Sequence, residues 1–280
     1  MKKEGEKPAD PLFLRSIVIA LIITALCMVV MAQASFRISS RAINDLAVFN
    51  YKLITDTKAH VAMQWFSENK LTLENQCFVI ASEKASRKEI QDYLTSYLKA
   101  KDDPYVYDIY FTSTGNVMAS GTGYDNLVED PDIDYRQRQW YIKASETDDV
   151  IYSTAYRDLD SGQLVITLSK RVMRGSRMIG VLAIDVFVDS LTEFFTNEST
   201  LENSYGFLVD ADMGVIIHPD KDSFYYDESP YRLDETGLSD YPKIIDSIKE
   251  DKQGVVISDY DGVKRAIYFQ EINTSGWYVI

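Results

Sequence analysis

The hydrophobic pattern opens with an uncharged apolar run near the amino terminus. Residues 17–34 are 18 positions without Asp, Glu, Lys or Arg, which is just long enough to cross a hydrocarbon core of about 30 Å as a helix. Basic side chains precede the run, and Arg37 and Arg41 follow it. We therefore predict a cytoplasmic segment at residues 1–16, a transmembrane helix at residues 17–34, and an extracytoplasmic location for the chain after about residue 35.

A cleavable signal peptide is the alternative interpretation of this run. Ala32, Gln33 and Ala34 have the small-residue form of a cleavage site. The apolar stretch is long and the helical pattern continues through the site, which favours the anchor. Both interpretations export Cys77, which we expect to be a small buried apolar residue.

Three further helices are indicated by spacing and capping signals. Neither Gly nor Pro occurs from Leu12 to Asp103, and apolar side chains recur at helical spacing, so residues 35–75 are assigned to one long helix. Its partial heptad pattern fits either an amphipathic helix of one chain or a contact between two protomers, and the latter predicts a homodimer. Capping boxes at Ser86–Glu89 and Ser190–Glu193 predict a second helix and a short connecting helix.

After Pro104 the pattern changes to short alternating runs typical of antiparallel strands. Residues 107–118 and 205–217 both have the pattern strand, turn, strand, and later apolar runs complete each block. This weak repeat predicts an α+β fold with two tandem antiparallel-sheet modules, at residues 76–190 and 191–280. The completing runs are residues 163–172 and 178–185 in the first block, and residues 254–258, 265–269 and 277–280 in the second.

Composition narrows the class of function. The formal net charge of −14 argues against nucleic acid as a partner, because phosphate contacts need clustered cations. The charge is uneven: the first 34 residues hold four basic and three acidic side chains, and the remainder carries −15.

Motifs for an enzyme or a metal centre are missing from the sequence. Asp210-x-Asp212-x-Gly214 and the Asp259–Gly262 segment resemble pieces of a calcium loop but lie between strands, so we expect hairpin turns. His218 ends a strand and is expected to be an edge histidine. The second module shows no convergent polar set, and we expect it to transmit rather than bind. No cofactor or metal is predicted.

Candidate binding residues surround a motif at Asp134–Tyr141. Arg138 offers a planar fork of donors suited to a carboxylate, and Trp140 and Tyr141 can wall a small pocket. Asp185 follows the apolar run at residues 179–184, where a buried carboxylate needs a partner.

Tyr156 and Asp158 follow another strand-like run and add a hydroxyl and a second acceptor. An Arg for a carboxylate, acidic oxygens for an ammonium and aromatic walls together describe a receptor for an α-amino acid. The competing interpretations are an exported enzyme, for which only carboxylate pairs are available, and an interaction module that meets a partner protein.

The pattern Asp-x-Arg-x-Arg-x-Trp-Tyr at Asp134–Tyr141 resembles the double Cache (dCache) extracytoplasmic sensor domain of bacterial chemoreceptors of the methyl-accepting type. The resemblance covers nearly the whole chain and implies two PAS-like modules, the membrane-distal one binding the ligand. In the amino-acid-binding branch, the Arg and Trp hold the ligand carboxylate, and Tyr and Asp residues complete the pocket. The matching ligand-binding positions are Arg138, Trp140, Tyr141, Tyr156, Asp158 and Asp185.

One position departs from that branch, because Ile133 stands where an aromatic is usual and Tyr135 is two residues away. This leaves the ligand open between an amino acid and a related amine. The resemblance implies a non-enzymatic chemotaxis sensor; the alternatives are the sensor part of a histidine kinase or diguanylate cyclase, or an anchored binding protein.

Overall fold

The structure is a computed structural model that describes residues 11–82, 84–196, 204–220, 224–226, 229–250, 252 and 254–280. Residues 1–10 of the predicted cytoplasmic segment lie outside the described residues. The chain divides into two compact units, Met1–Leu53 and Ile54–Ile280. The helices are α1 (Pro11–Ser82), α2 (Arg87–Lys101), α3 (Gln139–Ser145), α4 (Val188–Thr196) and α5 (Pro242–Lys249), with a 3₁₀ turn at Tyr135–Gln137.

Helix α1 contains the predicted transmembrane run and the predicted long helix. Its most apolar 18-residue window has a mean hydropathy of 2.6 and is not covered by other parts of the chain, so by length and composition it can cross a membrane. The helix continues past residue 75 to Ser82, because Cys77 and Ile80 extend its buried apolar stripe. Cys77 is buried as predicted, and this burial raises the pKa of its thiol to about 12.

The two predicted capping boxes have different outcomes. At α2, Glu89 N donates to Ser86 Oγ (3.4 Å) and Ser86 N donates to Glu89 Oε2 (2.7 Å), so the predicted box is confirmed. At α4, the prediction is wrong, since the helix begins at Val188 and Ser190 lies within its first turn. The preceding strand runs directly into this helix, which leaves no extended position at Ser190 for a cap.

The first sheet has six strands in the order β2-β1-β6-β5-β3, with β4 also paired to β5. All of its pairings are antiparallel. Register is fixed by two long central strands: Tyr110 lies opposite Ala183 and Thr167 lies opposite Asp185. The strands are β1 (Val106–Ser113), β2 (Met118–Ser120), β3 (Ile151–Tyr152), β4 (Tyr156–Arg157), β5 (Leu164–Arg174) and β6 (Arg177–Phe187).

The second sheet has four strands in the order β13-β14-β7-β8, and two hairpins, β9–β10 and β11–β12, accompany it. In both sheets an early hairpin pairs with a late strand of the same block, β1 with β6 and β7 with β14. The predicted α+β fold with two antiparallel modules is confirmed. The strands are β7 (Leu208–Val209), β8 (Val215–Ile217), β9 (Tyr225–Tyr226), β10 (Ser229–Pro230), β11 (Val255–Ser258), β12 (Lys264–Ile267), β13 (Gln270–Ile272) and β14 (Trp277–Val279).

One hydrophobic core joins the two sheets through the carboxyl-terminal half of α1. Phe66 of α1 contacts Tyr152 of the first sheet and Trp277 of the second, with ring centroids 5.3 and 5.1 Å apart. The rings of Tyr152 and Trp277 lie 6.2 Å apart. These three aromatic rings form the junction of the modules, so packing changes in one sheet reach the other through direct contacts.

The faces of the first sheet follow the period-two alternation of strands. On β6, Leu182 and Ile184 belong to the core shared with α1, whereas Val181 and Ala183 belong to a separate cluster on the other face, which also includes Trp140. By the same alternation, Asp185 points to the face that carries Trp140.

Candidate ligand-binding site

A small pocket lies on this second face of the first sheet. Five of the six residues predicted from the sequence line it, and they come from separate segments: α3 and the residue before it, β4 and the turn after it, and β6. The lining residues are Tyr107, Asp108, Tyr110, Met118, Tyr124, Tyr135, Arg138, Trp140, Tyr156, Asp158, Leu159, Asp160 and Asp185.

Arg138 reaches the pocket from the residue that precedes α3. Its backbone is extended, with φ −72° and ψ 144°. The guanidinium carbon lies 5.2 Å from the centroid of the Tyr156 ring, within the range of a cation–π contact. Within the described part of the chain no hydrogen bond or ion pair engages this guanidinium, so its donor fork remains free for a carboxylate.

Trp140 forms an apolar wall of the pocket. Its side chain is buried and packs edge-on against Tyr110, with ring centroids 5.3 Å apart. Ser169 Oγ donates to the Trp140 carbonyl (3.0 Å), which ties α3 to β5. The indole is therefore held by the sheet and by the helix together.

Asp185 lies at the bottom of the pocket and is only 3% exposed. Its Oδ1 accepts hydrogen bonds from Thr167 Oγ1 (2.6 Å) and Tyr110 Oη (3.1 Å). Neither donor is a cation, and burial together with the nearby Asp158 and Asp108 raises the carboxyl pKa well above its ordinary value. An ammonium group in the pocket would supply the positive charge that this carboxyl lacks.

Tyr156 and Asp158 complete the predicted set. Tyr156 Oη lies 2.6 Å from Thr167 Oγ1, so it joins the hydroxyl network around Asp185. Asp158 Oδ2 accepts from Ser161 N (2.7 Å) and Ser161 Oγ (2.8 Å), which fixes the turn after β4. Its Oδ1 forms no hydrogen bond to any described residue.

Three residues of the motif, Asp134, Arg136 and Tyr141, lie outside the pocket lining. Tyr141, the sixth predicted residue, is buried and packs against Trp140, with ring centroids 5.7 Å apart. The other arginine of the motif, Arg136, forms an ion pair with Asp134 (2.8 Å) and donates to the Thr114 carbonyl (3.0 Å). Arg136 therefore stabilises the local loop, whereas Arg138 faces the pocket.

Several residues that line the pocket were not predicted from the sequence as binding residues, among them Tyr124 and Tyr135. Their hydroxyl oxygens lie 2.6 Å apart, and both bond to Asp130. They line the pocket, while Ile133 packs in the adjoining apolar cluster. The register of β1 against β6, had it been known, would have identified Tyr110 as a pocket residue near Asp185. Tyr124 belongs to a loop whose path the sequence pattern does not predict.

A wider open cleft adjoins the pocket and shares Arg138, Trp140, Tyr156, Asp158 and Leu159 with it. The cleft runs between α3 and the segment from β3 to the turn after β4. Its additional charged residues are Lys143 and Arg157, both exposed and both basic. The rim is therefore positive and the pocket behind it is acidic.

The second module contradicts two expectations from the sequence. His218 follows the edge strand β8, but its side chain is fully buried, and its ring lies 3.8 Å from that of Phe224. Polar residues also converge there: Asp259 pairs with Arg265 (2.6 Å) and accepts from the hydroxyl groups of Tyr205 and Tyr241. The sequence missed this cluster because its members come from three separate segments, with Asp259 and Arg265 both in the β11–β12 hairpin.

The predicted hairpin turns are confirmed, since Asp210 Oδ1 accepts from Asp212 N and Gly214 N between β7 and β8, and the Asp259–Gly262 turn joins β11 to β12. Among the described residues no group of three or more His, Cys, Asp or Glu side chains could hold a metal ion.

The family model of the Cache domain, dCache_1, matches residues 39–280. The chain belongs to the Cache domain family. Methyl-accepting chemotaxis protein McpC of Bacillus subtilis is 26% identical to this Cache chain over 149 residues, which are 53% of the chain and 20% of McpC. Across the curated relatives that it matches, the chain spans 19% to 38% of their length.

Solved structures show the same fold. The ligand-binding domain of the Pseudomonas fluorescens chemoreceptor CtaA, in complex with L-serine, matches with a TM-score of 0.70 and 21% identity over 84% of this chain and 96% of that domain. The ligand-binding domain of the Pseudomonas aeruginosa amino-acid chemoreceptor PctB, in complex with L-Gln, matches with a TM-score of 0.67 and 21% identity, over 82% and 88% of the two chains. Together with its apolar amino-terminal helix, the chemoreceptor relatives identify the Cache chain as a membrane protein.

Proposed function

We propose that this Cache chain is the extracytoplasmic sensor part of a chemotaxis receptor and that its first module binds an α-amino acid. One observation carries the proposal: a free guanidinium, Arg138, and a buried carboxyl without a cationic partner, Asp185, line the same pocket. Arg138 and Trp140 would hold the ligand carboxylate, Asp185 would hold the ammonium, and Asp158 would add a second carboxylate to the pocket. The chemotaxis receptors among its relatives and the amino-acid complexes of its structural neighbours support this assignment.

The chain performs no chemistry in this proposal. Ligand binding closes the first module and biases helix α1 between two arrangements, and the ligand shifts that equilibrium only by its difference in affinity for the two. The Phe66, Tyr152 and Trp277 rings provide a contact between the ligand-binding module, the second module and α1. Residues 17–34 anchor the chain in the membrane, with the chain after about residue 35 outside.

A homodimer formed through α1 is part of the proposal. Leu46, Phe49 and Leu53 are more than half exposed on this helix, and exposed apolar patches of this kind mark interaction surfaces. Light scattering of the chain in detergent micelles should give the mass of two copies. A mass of one copy at all protein concentrations would remove the dimer from the proposal.

The binding assignment is tested by calorimetry of the chain in detergent micelles against the twenty L-amino acids. At least one should bind, and Arg138→Ala should weaken it about thirtyfold or more, because the substitution removes a charged partner from a desolvated site. Arg136→Ala is the matched control, two residues away and outside the pocket lining, and should leave the affinity within a factor of three. Binding of no amino acid, or equal losses in both variants, would contradict the proposal.

A further inference from the structure

The inner pocket carries more negative charge than a single ammonium group neutralises. Its lining contains four aspartates and one basic residue, Arg138. A neutral zwitterion would leave this imbalance unchanged, because its own carboxylate offsets its ammonium. The aspartates are Asp108, Asp158, Asp160 and Asp185.

Hydrogen bonding separates these carboxylates into two kinds. Asp108 is saturated: it accepts from Ile109 N (2.7 Å), Thr122 N (3.0 Å), Ser120 Oγ (2.6 Å) and Thr122 Oγ1 (3.2 Å). It contributes charge but has no free acceptor. The other three each retain one oxygen with no hydrogen-bond partner in the described residues, namely Asp185 Oδ2, Asp158 Oδ1 and Asp160 Oδ1.

A hydrogen bond from Tyr107 holds Asp160 at the pocket. Tyr107 Oη donates to Asp160 Oδ2 (2.5 Å), and the Tyr107 ring packs against Phe187 with centroids 4.4 Å apart. A carboxylate fixed beside an aromatic ring suits a cationic group, which gains from the charge and from the ring face. The ligand ammonium occupies Asp185, so Asp160 and Asp158 are available to a second cation.

The charge of the adjoining cleft orients the ligand. The Lys143 ammonium has no hydrogen-bond or ion-pair partner among the described residues, and the Arg157 guanidinium donates to the Gly162 carbonyl (2.6 Å). With Arg138 they form a positive rim that attracts the ligand carboxylate and repels a cationic side chain. A second positive group on the ligand is therefore directed toward the free oxygens of Asp158 and Asp160 and away from this positive rim.

We infer that the pocket selects an α-amino acid with a cationic side chain, whose side-chain charge lies against Asp160 and Asp158. The inference rests on the proposed amino-acid site and specifies its ligand class. It also assigns a specificity role to Asp160, a residue outside the recognised motif.

Isosteric ligand pairs test the inference. L-arginine and L-citrulline have the same shape and differ in side-chain charge. L-lysine and L-norleucine form a second pair that differs in side-chain charge and is nearly matched in shape. Calorimetry of the chain in detergent micelles should show each cationic member binding about tenfold or more tighter than its neutral partner, with the ratio falling as salt rises. In Asp160→Asn the ratio should fall to about threefold or less. Asn at this position still accepts the Tyr107 hydrogen bond, so the fold is retained.

Asp149→Asn is the control, since Asp149 is exposed in the same module and outside both cavities. It changes the net charge equally and should leave the ratio unchanged. Equal binding of cationic and neutral partners, or tighter binding of L-glutamate than of L-arginine, would overturn the inference while leaving the amino-acid site intact. Failure of all these ligands and of the other amino acids would overturn the proposed function itself.

Discussion

At the residue scale, the carboxyl group of Asp185 governs how the pocket responds to pH. Its pKa is raised mainly by burial, and burial also raises the pKa of Asp108 to about 6. A ligand ammonium favours the ionised form and so lowers the carboxyl pKa in the complex. Binding then releases a proton, and affinity must fall as pH decreases through the raised pKa of the free protein.

We therefore expect the affinity for the bound amino acid to increase with pH below the raised pKa of the free Asp185 carboxyl, by up to about tenfold per pH unit. Asp185→Asn should weaken binding at pH 8 by about thirtyfold or more and flatten the profile. Calorimetry at several pH values measures both effects. A variant that keeps the wild-type pH profile would rule out Asp185 as the titrating group.

His218 gives a separate prediction about stability. Burial lowers its pKa to about 4, although the nearby Asp259 opposes the shift. The unfolded chain binds a proton at pH values below about 6.5, whereas the folded chain does not until about pH 4. Stability from this residue is therefore present above pH 6.5 and is lost as pH falls toward 4, by about 3 kcal/mol.

Urea unfolding of His218→Phe at pH 7 and pH 4.5 tests this linkage. The variant should lose markedly less stability than the wild type over that interval, because Phe carries no proton and packs in the same aromatic surroundings of Phe207 and Phe224. Comparing the change with pH, rather than the stability at one pH, separates the titration from any packing difference. An unchanged pH dependence would mean that other groups account for the acid sensitivity.

At the element scale, the central strands of the first sheet leave no room beside Gly180 on β6. A Cβ at this position would overlap the Thr112 carbonyl and lie 2.6 Å from the Phe111 ring. Both neighbours belong to β1, which supplies Tyr110 and Asp108 to the pocket. The close approach of β1 and β6 thus depends on glycine, and this pairing brings Tyr110 within reach of Asp185.

Gly180→Ala should lower the free energy of unfolding by about 1–3 kcal/mol or more, because the overlap can be relieved only by moving a strand. Gly115→Ala is the control, since its Cβ would meet its nearest neighbour, Ser113 Oγ, at 3.7 Å. Chemical denaturation should separate the two variants by more than 1 kcal/mol. Equal stabilities would show that the strand pair adjusts without cost.

At the scale of the whole molecule, a shared core makes the two modules one folding unit. Trp277 of the second sheet is buried and contacts both Phe66 and Tyr152. Trp277→Ala should cost about 3–5 kcal/mol, as do other large-to-small aromatic substitutions in cores. The loss should affect both modules in one transition, because the cavity forms at their junction.

Thermal unfolding of Trp277→Ala, followed by circular dichroism and by differential scanning calorimetry, should show a single transition at a lower temperature than in the wild type. Phe78→Ala is the control, since Phe78 is 74% exposed and should change stability by less than about 0.5 kcal/mol. Two separate transitions in the wild type would contradict the shared core.

The sequence alone predicted the features that depend on neighbouring positions along the chain. The apolar run, the helix without Gly or Pro, the Ser86 cap and the strand alternation are all local patterns, and the structure contains each of them. Five pocket residues were also predicted, because Asp185 interrupts an apolar strand and Arg138 and Trp140 belong to one recognisable motif. The cap at Ser190 was predicted wrongly, since a local motif cannot indicate that the strand runs straight into the helix.

The tertiary structure alone decided which side chains converge. Strand register brings Thr167 and Tyr110 to Asp185, and loop paths bring Tyr124, Tyr135 and Asp160 to the same pocket. The same holds for the buried His218 and the Asp259 cluster in the second module. This convergence depends on contacts between segments that are distant along the chain, and the free energy of those contacts is gained only when the sheets pack. The hydrophobic periodicity of the sequence is a local pattern and therefore does not predict which side chains converge.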